Sequence, residues 1–316
     1  MVIPIVYLLV GLVLLYFGAE FLVKGSANLA MKMGVSALVV GLTVVAFGTS
    51  APELVVSIKA GLAGKGDLAV GNVIGSNIFN IALILGITAT VRPVKVHLNV
   101  LRVDTPIMVA CSILLMIFLL DTSISRIEGV FLTLGILVYT SLTIIVARKS
   151  GENKIDFPVE QITPTPEKKM NPLIDILLTI LGLGLLVFGS RFFVDGAVDI
   201  ARIMGVSEAI IGLTIVAGGT SLPELATSVI AAIKKESDIA IGNIVGSNIF
   251  NILAILGISS VITPLHAPGV DRISIYFMLG IAVLLLPFMR TGFKLTRLEG
   301  LIFLAIYGGY MVYIWP

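Results

Sequence analysis

Two hexapeptides hold the chain's most chemically loaded residues, Gly48-Thr49-Ser50-Ala51-Pro52-Glu53 and Gly219-Thr220-Ser221-Leu222-Pro223-Glu224. Each sets a carboxylate beside two hydroxyls and a proline within a long apolar run. Proline lacks an N–H and its ring crowds the preceding turn, so Pro52 and Pro223 should free the carbonyls of Gly48 and Gly219. Hard oxygen ligands would result. Thr49 and Glu53 stand four apart, which on an unbroken helix puts hydroxyl and carboxylate on one face. A single Ser or Thr in such a helix often bonds only its own backbone, but duplication of the whole motif argues for a shared role.

A second duplicated motif follows each of the first: Gly71-Asn72-Val73-Ile74-Gly75-Ser76-Asn77-Ile78-Phe79-Asn80, and Gly242-Asn243-Ile244-Val245-Gly246-Ser247-Asn248-Ile249-Phe250-Asn251. Ser76 shares a helix face with Asn80, as Ser247 does with Asn251. Gly71 with Gly75, and Gly242 with Gly246, should let another helix approach closely. Asn72, Asn77, Asn243 and Asn248 read as braces for a helix break rather than as ion contacts. Together the four segments offer two carboxylates, hydroxyls, amide oxygens and freed carbonyls, with no histidine or cysteine among them. That set suits Na⁺, Ca²⁺ or Mg²⁺ and poorly suits a soft metal.

The elements that must position these groups are membrane helices. Of 316 residues, 57% are hydrophobic and 13% charged, with a mean hydropathy of +1.09, where a soluble domain has about 25% charged residues. Apolar runs of membrane-spanning length fall near Ile3 to Leu22, Val35 to Ala60, Leu68 to Val91, Pro106 to Leu120 and Val130 to Val146. Five more lie near Leu173 to Ala201, Val206 to Ile233, Ile239 to Ile262, Ile273 to Met289 and Leu301 to Trp315. The first run lacks a basic leader and a clear cleavage site, so it reads as a retained helix. Glu53 and Glu224 thus lie deep within spans, where a carboxylate costs at least a few kcal/mol unless it meets a polar interior or a cation.

A shift of 171 residues lays the second half on the first without a gap, and 29 of 54 positions from Gly41 to Val94 are then identical. Five spans per unit is an odd number, so the second copy must enter the membrane from the opposite side. The expected fold is an all-α integral membrane protein of ten transmembrane helices, arranged as two inverted five-helix repeats. Residues 1–147 form the first repeat, 148–171 a connector and 172–316 the second repeat. The connector carries Pro158, Pro164, Pro166 and nine charges. Counting Lys and Arg loop by loop gives 15 on the connector's side against six on the other, which makes the connector cytoplasmic and both termini extracellular.

On these residues the chain resembles the Ca²⁺:cation antiporters, specifically the prokaryotic type of the sodium/calcium exchanger branch, whose two repeats carry GTS-x-PE and GN-x-x-GSN signatures. The resemblance implies that Glu53, Glu224, Thr49 and Thr220 bind Ca²⁺. It adds Ser50, Ser221, Ser76, Ser247, Asn80, Asn251 and the carbonyls of Ala46 and Ala217 for Na⁺. Some family members have Asp in place of one of these Asn residues; here both are Asn, which argues against K⁺ cotransport. The proton-coupled branch has a Glu in the second motif that this chain lacks. The implied activity is electrogenic Na⁺/Ca²⁺ exchange by alternating access, with H⁺-coupled or broader divalent-cation exchange as the alternative and a cation channel behind it.

An intramembrane enzyme is disfavoured, since neither H-E-x-x-H nor G-x-S-x-G occurs. The expected partners are the lipid bilayer, Na⁺ and Ca²⁺; a net charge of +2 on scattered residues excludes a nucleic-acid footprint. No cofactor and no obligatory protein partner are implied. Away from the motifs, Asp67 and Asp238 read as helix N-caps. Glu20 with Lys24, and Arg191 with Asp195 and Asp199, read as charge pairs along one helix. His97 and His266 read as solvated, Cys111 as a small buried hydrophobe and Trp315 as an interface anchor.

Overall fold

The computed structural model describes residues 2–152, 172–205 and 217–314, with side chains at 2–147, 172–205 and 218–314. Helix α1 spans Val2–Met33. Next come α2 (Ala37–Thr49) and α3 (Ala51–Leu62), bent by 45° against each other. They are followed by α4 (Gly66–Val91), α5 (Val100–Asp121) and α6 (Arg126–Glu152). The second half has α7 (Pro172–Ile203), a short turn at Ala217–Gly219 and α8 (Leu222–Ile233). It ends with α9 (Ser237–Ile262), α10 (Arg272–Arg290) and α11 (Arg297–Ile314).

Among the described residues eight helices are long and apolar enough to cross a membrane, and the bent α2–α3 pair makes a ninth. The seventh expected span is only partly described, because residues 206–216 lie outside the described set, as do 153–171 and Trp315. Helix α6 runs on to Glu152, into the segment expected to be connector. The fourth span begins at Val100 rather than Pro106, with a π turn over Val100–Asp104 ahead of the proline.

Helices α1 and α7 have 32 residues each, about 48 Å at 1.5 Å per residue. That exceeds the roughly 30 Å hydrocarbon core, so they must tilt or project. They meet along Gly11, Gly18 and Gly25 on one side and Gly182, Gly189 and Gly196 on the other, images of one another under the 171-residue shift. A Cβ at Gly182 would lie 2.5 Å from the Leu22 nitrogen, so the contact excludes any larger residue. Such bare seams give two helices the packing that lipid gives them no hydrophobic reason to seek. Buried Asp175 on α7 accepts Asn28 Nδ2 at 3.0 Å and pairs with Lys32, both on α1.

Two short strand ribbons join the halves as a reciprocal pair. Strand β1 (Val94–Lys95) pairs antiparallel with β4 (Lys294–Leu295), while β2 (Ser123–Ile124) pairs with β3 (Leu265–His266). The shift carries one ribbon onto the other. Reciprocal capping boxes start α6 and α11: Glu128 accepts the Ser125 N–H at 2.7 Å, and Glu299 the Thr296 N–H at 2.7 Å. An 18-residue stretch of α9 is wholly buried and one of α4 about two-thirds buried.

Three expectations about charges change. Asp67 and Asp238 are not N-caps, since Lys65 and Glu236 occupy those positions. Two residues further along, both acids reach loops of the opposite half. Asp67 accepts the Gly269 N–H at 2.7 Å, and Asp238 lies 3.2 Å from His97 Nε2, so His97 is tethered rather than merely solvated. Glu20 holds Lys234 on another element at 2.8 Å.

Candidate ion-binding site

The first motif of each half breaks its helix. Ser50 has φ −83° and ψ 5° and Ser221 φ −90° and ψ 7°, with Pro52 and Pro223 in the first turn of α3 and α8. The break overturns one expectation. Thr49 and Glu53 do not share the face of a continuous helix; instead the serine hydroxyl of each motif serves the carboxylate of the other half. Ser50 donates to Glu224 Oε1 at 2.9 Å, and Ser221 to Glu53 Oε1 at 2.9 Å. Thr49 Oγ1 lies 3.1 Å from the Val45 carbonyl and 3.3 Å from the Ala46 carbonyl, and Thr220 Oγ1 is buried without a hydrogen-bond partner. Both carboxylates are 1% exposed.

The second motif braces this arrangement without breaking its own helix. Asn72 Nδ2 donates to the Glu53 carbonyl at 3.3 Å and to Ser57 Oγ at 3.0 Å. Asn243 Nδ2 does the same to Glu224 at 3.4 Å and Ser228 at 3.0 Å, while its Oδ1 lies 3.0 Å from Thr49 Oγ1. The spans α4 and α9 stay continuous, but π turns over Phe79–Ile84 and Asn251–Leu256 interrupt their regular pattern beside Asn80 and Asn251. Such turns loosen backbone bonding and recur at functional sites. Gly242 and Gly246 meet the α2 backbone as expected, a Cβ there falling 2.9 Å from the Leu38 oxygen and 2.7 Å from the Leu42 oxygen. Gly71 and Gly75 are exposed; the residues that would answer them by the shift are 209, 213 and 217.

The expected ligand set is left with unused acceptors. Among the described residues ten buried side-chain oxygens lack a hydrogen-bond partner, and six of them are Glu53 Oε2, Glu224 Oε2, Asn80 Oδ1, Asn251 Oδ1, Ser247 Oγ and Thr220 Oγ1. Leaving such groups unpaired costs about 1–3 kcal/mol each, more for a charge. No described group of three His, Cys, Asp or Glu side chains clusters to hold a metal, so the arrangement is two acids amid neutral oxygens. Ser76 Oγ lies 3.4 Å from Ser221 Oγ.

The carbonyls behave less uniformly than the prolines suggest. The Gly219 carbonyl freed by Pro223 accepts Ser190 Oγ at 2.5 Å and is turned to α7 rather than left as a ligand. The Ala46 carbonyl already accepts the Ser50 N–H at 3.1 Å, with Thr49 Oγ1 at 3.3 Å. Ala217 opens its short turn, and its side chain lies outside the described set. Sequence reasoning missed Ser57, Ser228 and Ser190. The first two carried a signal, since they recur under the shift four residues after each Glu; Ser190 carried none, because its counterpart is Ala19.

The profile of the sodium/calcium exchanger protein family matches residues 3–145 and 174–315. The chain belongs to the sodium/calcium exchanger family. It is 39% identical to the putative antiporter CaxA of Alkalimonas amylolytica over 98% of both chains, and 34% identical to the sodium/calcium exchanger MaX1 of Methanosarcina acetivorans over 96% of both. A solved structure of the sodium-calcium exchanger NCX_Mj, soaked with Na⁺ and Ca²⁺, superposes with a TM-score of 0.85 at 32% identity, covering 100% of each chain. This exchanger is therefore an all-helical, multi-pass membrane protein of a cation/Ca²⁺ antiporter family.

Proposed function

We propose that this chain exchanges Na⁺ for Ca²⁺ by alternating access between two inverted five-helix repeats, residues 1–147 and 172–316, joined by a cytoplasmic connector at 148–171. Glu53 and Glu224, with Thr49 and Thr220, bind Ca²⁺. Ser50, Ser221, Ser76, Ser247, Asn80, Asn251 and the carbonyls of Ala46 and Ala217 complete the Na⁺ positions. The observation that carries this reading is the set of buried, unpartnered oxygens on Glu53, Glu224, Asn80, Asn251, Ser247 and Thr220, a hard-oxygen set that only a cation satisfies without a donor.

Charge counting supplies the coupling. Two ionised carboxylates balance one Ca²⁺ or two Na⁺, so the ions compete for overlapping ligands rather than travel together. Without an ion, two carboxylates in a low dielectric oppose the conformational switch, which prevents leak. Resemblance to the family adds that more than two Na⁺ move per Ca²⁺, making exchange electrogenic, and neutral Asn80 and Asn251 leave no acid for K⁺. Ca²⁺ uptake by purified protein in liposomes, with Na⁺, H⁺ and K⁺ gradients imposed separately, tests this. Uptake should need the Na⁺ gradient and no K⁺. Uptake driven by protons alone would replace this reading with H⁺-coupled exchange, and Ca²⁺ flux without a counter-ion would replace it with a channel.

A further inference from the structure

Under the 171-residue shift Asn77 maps onto Asn248 and Asn80 onto Asn251, yet the four amides are bonded unequally. Asn77 Nδ2 donates to the Asn248 carbonyl at 3.3 Å, and Asn77 Oδ1 accepts Asn251 Nδ2 at 2.9 Å. The image bonds would run from Asn248 Nδ2 to the Asn77 carbonyl and from Asn80 Nδ2 to Asn248 Oδ1. Neither is made. Asn248 Nδ2 turns back onto its own helix, 2.7 Å from the Ile244 carbonyl, and Asn248 Oδ1 is buried without a partner. The carbonyl acceptors identify the nitrogen of both Asn77 and Asn248, so reversing an amide does not restore the symmetry.

We propose that Asn77 and Asn248 form a two-position amide latch whose members exchange roles when access passes from one side of the membrane to the other. The proposal rests on the alternating-access reading. In the opposite state Asn248 Nδ2 swings to the Asn77 carbonyl, Asn80 Nδ2 donates to Asn248 Oδ1, and Asn77 Nδ2 turns back to the Val73 carbonyl, the image of Ile244. Each arrangement makes three bonds and leaves the oxygen of one latch residue unpaired, Asn248 Oδ1 in the described arrangement and Asn77 Oδ1 in its image, so the latch defines two discrete states while favouring neither. It also ties the ligands to the state. Asn251 Nδ2, held by Asn77, aims its free Oδ1 in the described arrangement, and Asn80 is aimed in the other.

Exchange and side-specific Ca²⁺ affinity in oriented vesicles, for Asn77→Ala, Asn248→Ala and the double variant, test the latch. Asn77→Ala removes two bonds from the described arrangement and one from its image; Asn248→Ala does the reverse. Each should shift the balance of states about fivefold, moving the ratio of apparent Ca²⁺ affinities on the two sides in opposite directions and slowing exchange. The double variant has no bias, so its ratio should return to within about twofold of wild type. Asn77→Ser and Asn248→Ser serve where alanine prevents folding. A shift of both single variants in the same direction, or a double variant further from wild type than either single, would overturn the latch while leaving the exchanger reading intact. Wild-type vesicles with no Na⁺-driven Ca²⁺ flux would overturn both.

Discussion

Ser221 donates to Glu53 across the boundary between the two halves, its Oγ lying 2.9 Å from Glu53 Oε1, while Glu53 Oε2 stays buried and unpartnered. Each acid is therefore oriented by the opposite repeat and left one free oxygen. Replacing either acid with Gln removes half the charge available to a divalent ion, so Na⁺-driven Ca²⁺ flux should fall by about two orders of magnitude or more in Glu53→Gln and Glu224→Gln. Ser221→Ala removes one charge-assisted bond and should weaken Ca²⁺ binding by about tenfold. Well-folded Glu→Gln variants with near-normal flux in liposomes would refute the assignment.

On the proposed topology, drawn from the charge asymmetry of the loops, the connector lies inside. In a Cys111→Ala background, Asn153→Cys should resist an impermeant thiol reagent added to intact cells and react once the membrane is opened. Labelling from outside would reverse the orientation.

Ser190 caps a carbonyl that proline leaves without a helical partner, and the first repeat has Ala19 at the matching position. Ser190→Ala should leave the Gly219 oxygen unpaired and lower stability by about 1–3 kcal/mol, read as an earlier thermal unfolding in detergent. An unchanged transition would mean that the carbonyl finds another donor.

Outside the membrane spans, His97 is held protonated above its ordinary 6.5 chiefly by its hydrogen bond to Asp238, with burial opposing. A raised folded-state pKa contributes stability that is fully present below about 6.5 and lost as pH rises through the raised value. His97→Gln should flatten that part of the stability profile, and the effect should be small because the imidazole is 55% exposed. A wild-type profile that rises over the same interval would contradict the pairing.

The membrane-helical class and the duplication were legible in the chain, because hydropathy is a local property and the 171-residue repeat is a property of order alone. Spacing along one helix could not reveal that the chain bends at Ser50 and sets the Ser50 hydroxyl on Glu224 of the other half. That pairing exists only when two distant breaks meet. The same limit hid the reach of Asp67 and Asp238 into opposite loops and the capture of the Gly219 carbonyl by Ser190. Near-identical repeats also cannot express asymmetry, yet Asn77 is bonded across the interface while Asn248 turns back on its own helix. The sequence determined which polar groups lie in apolar runs and that they recur; the tertiary structure decided which partner each one meets, because those contacts join segments far apart in the chain that only packing brings together.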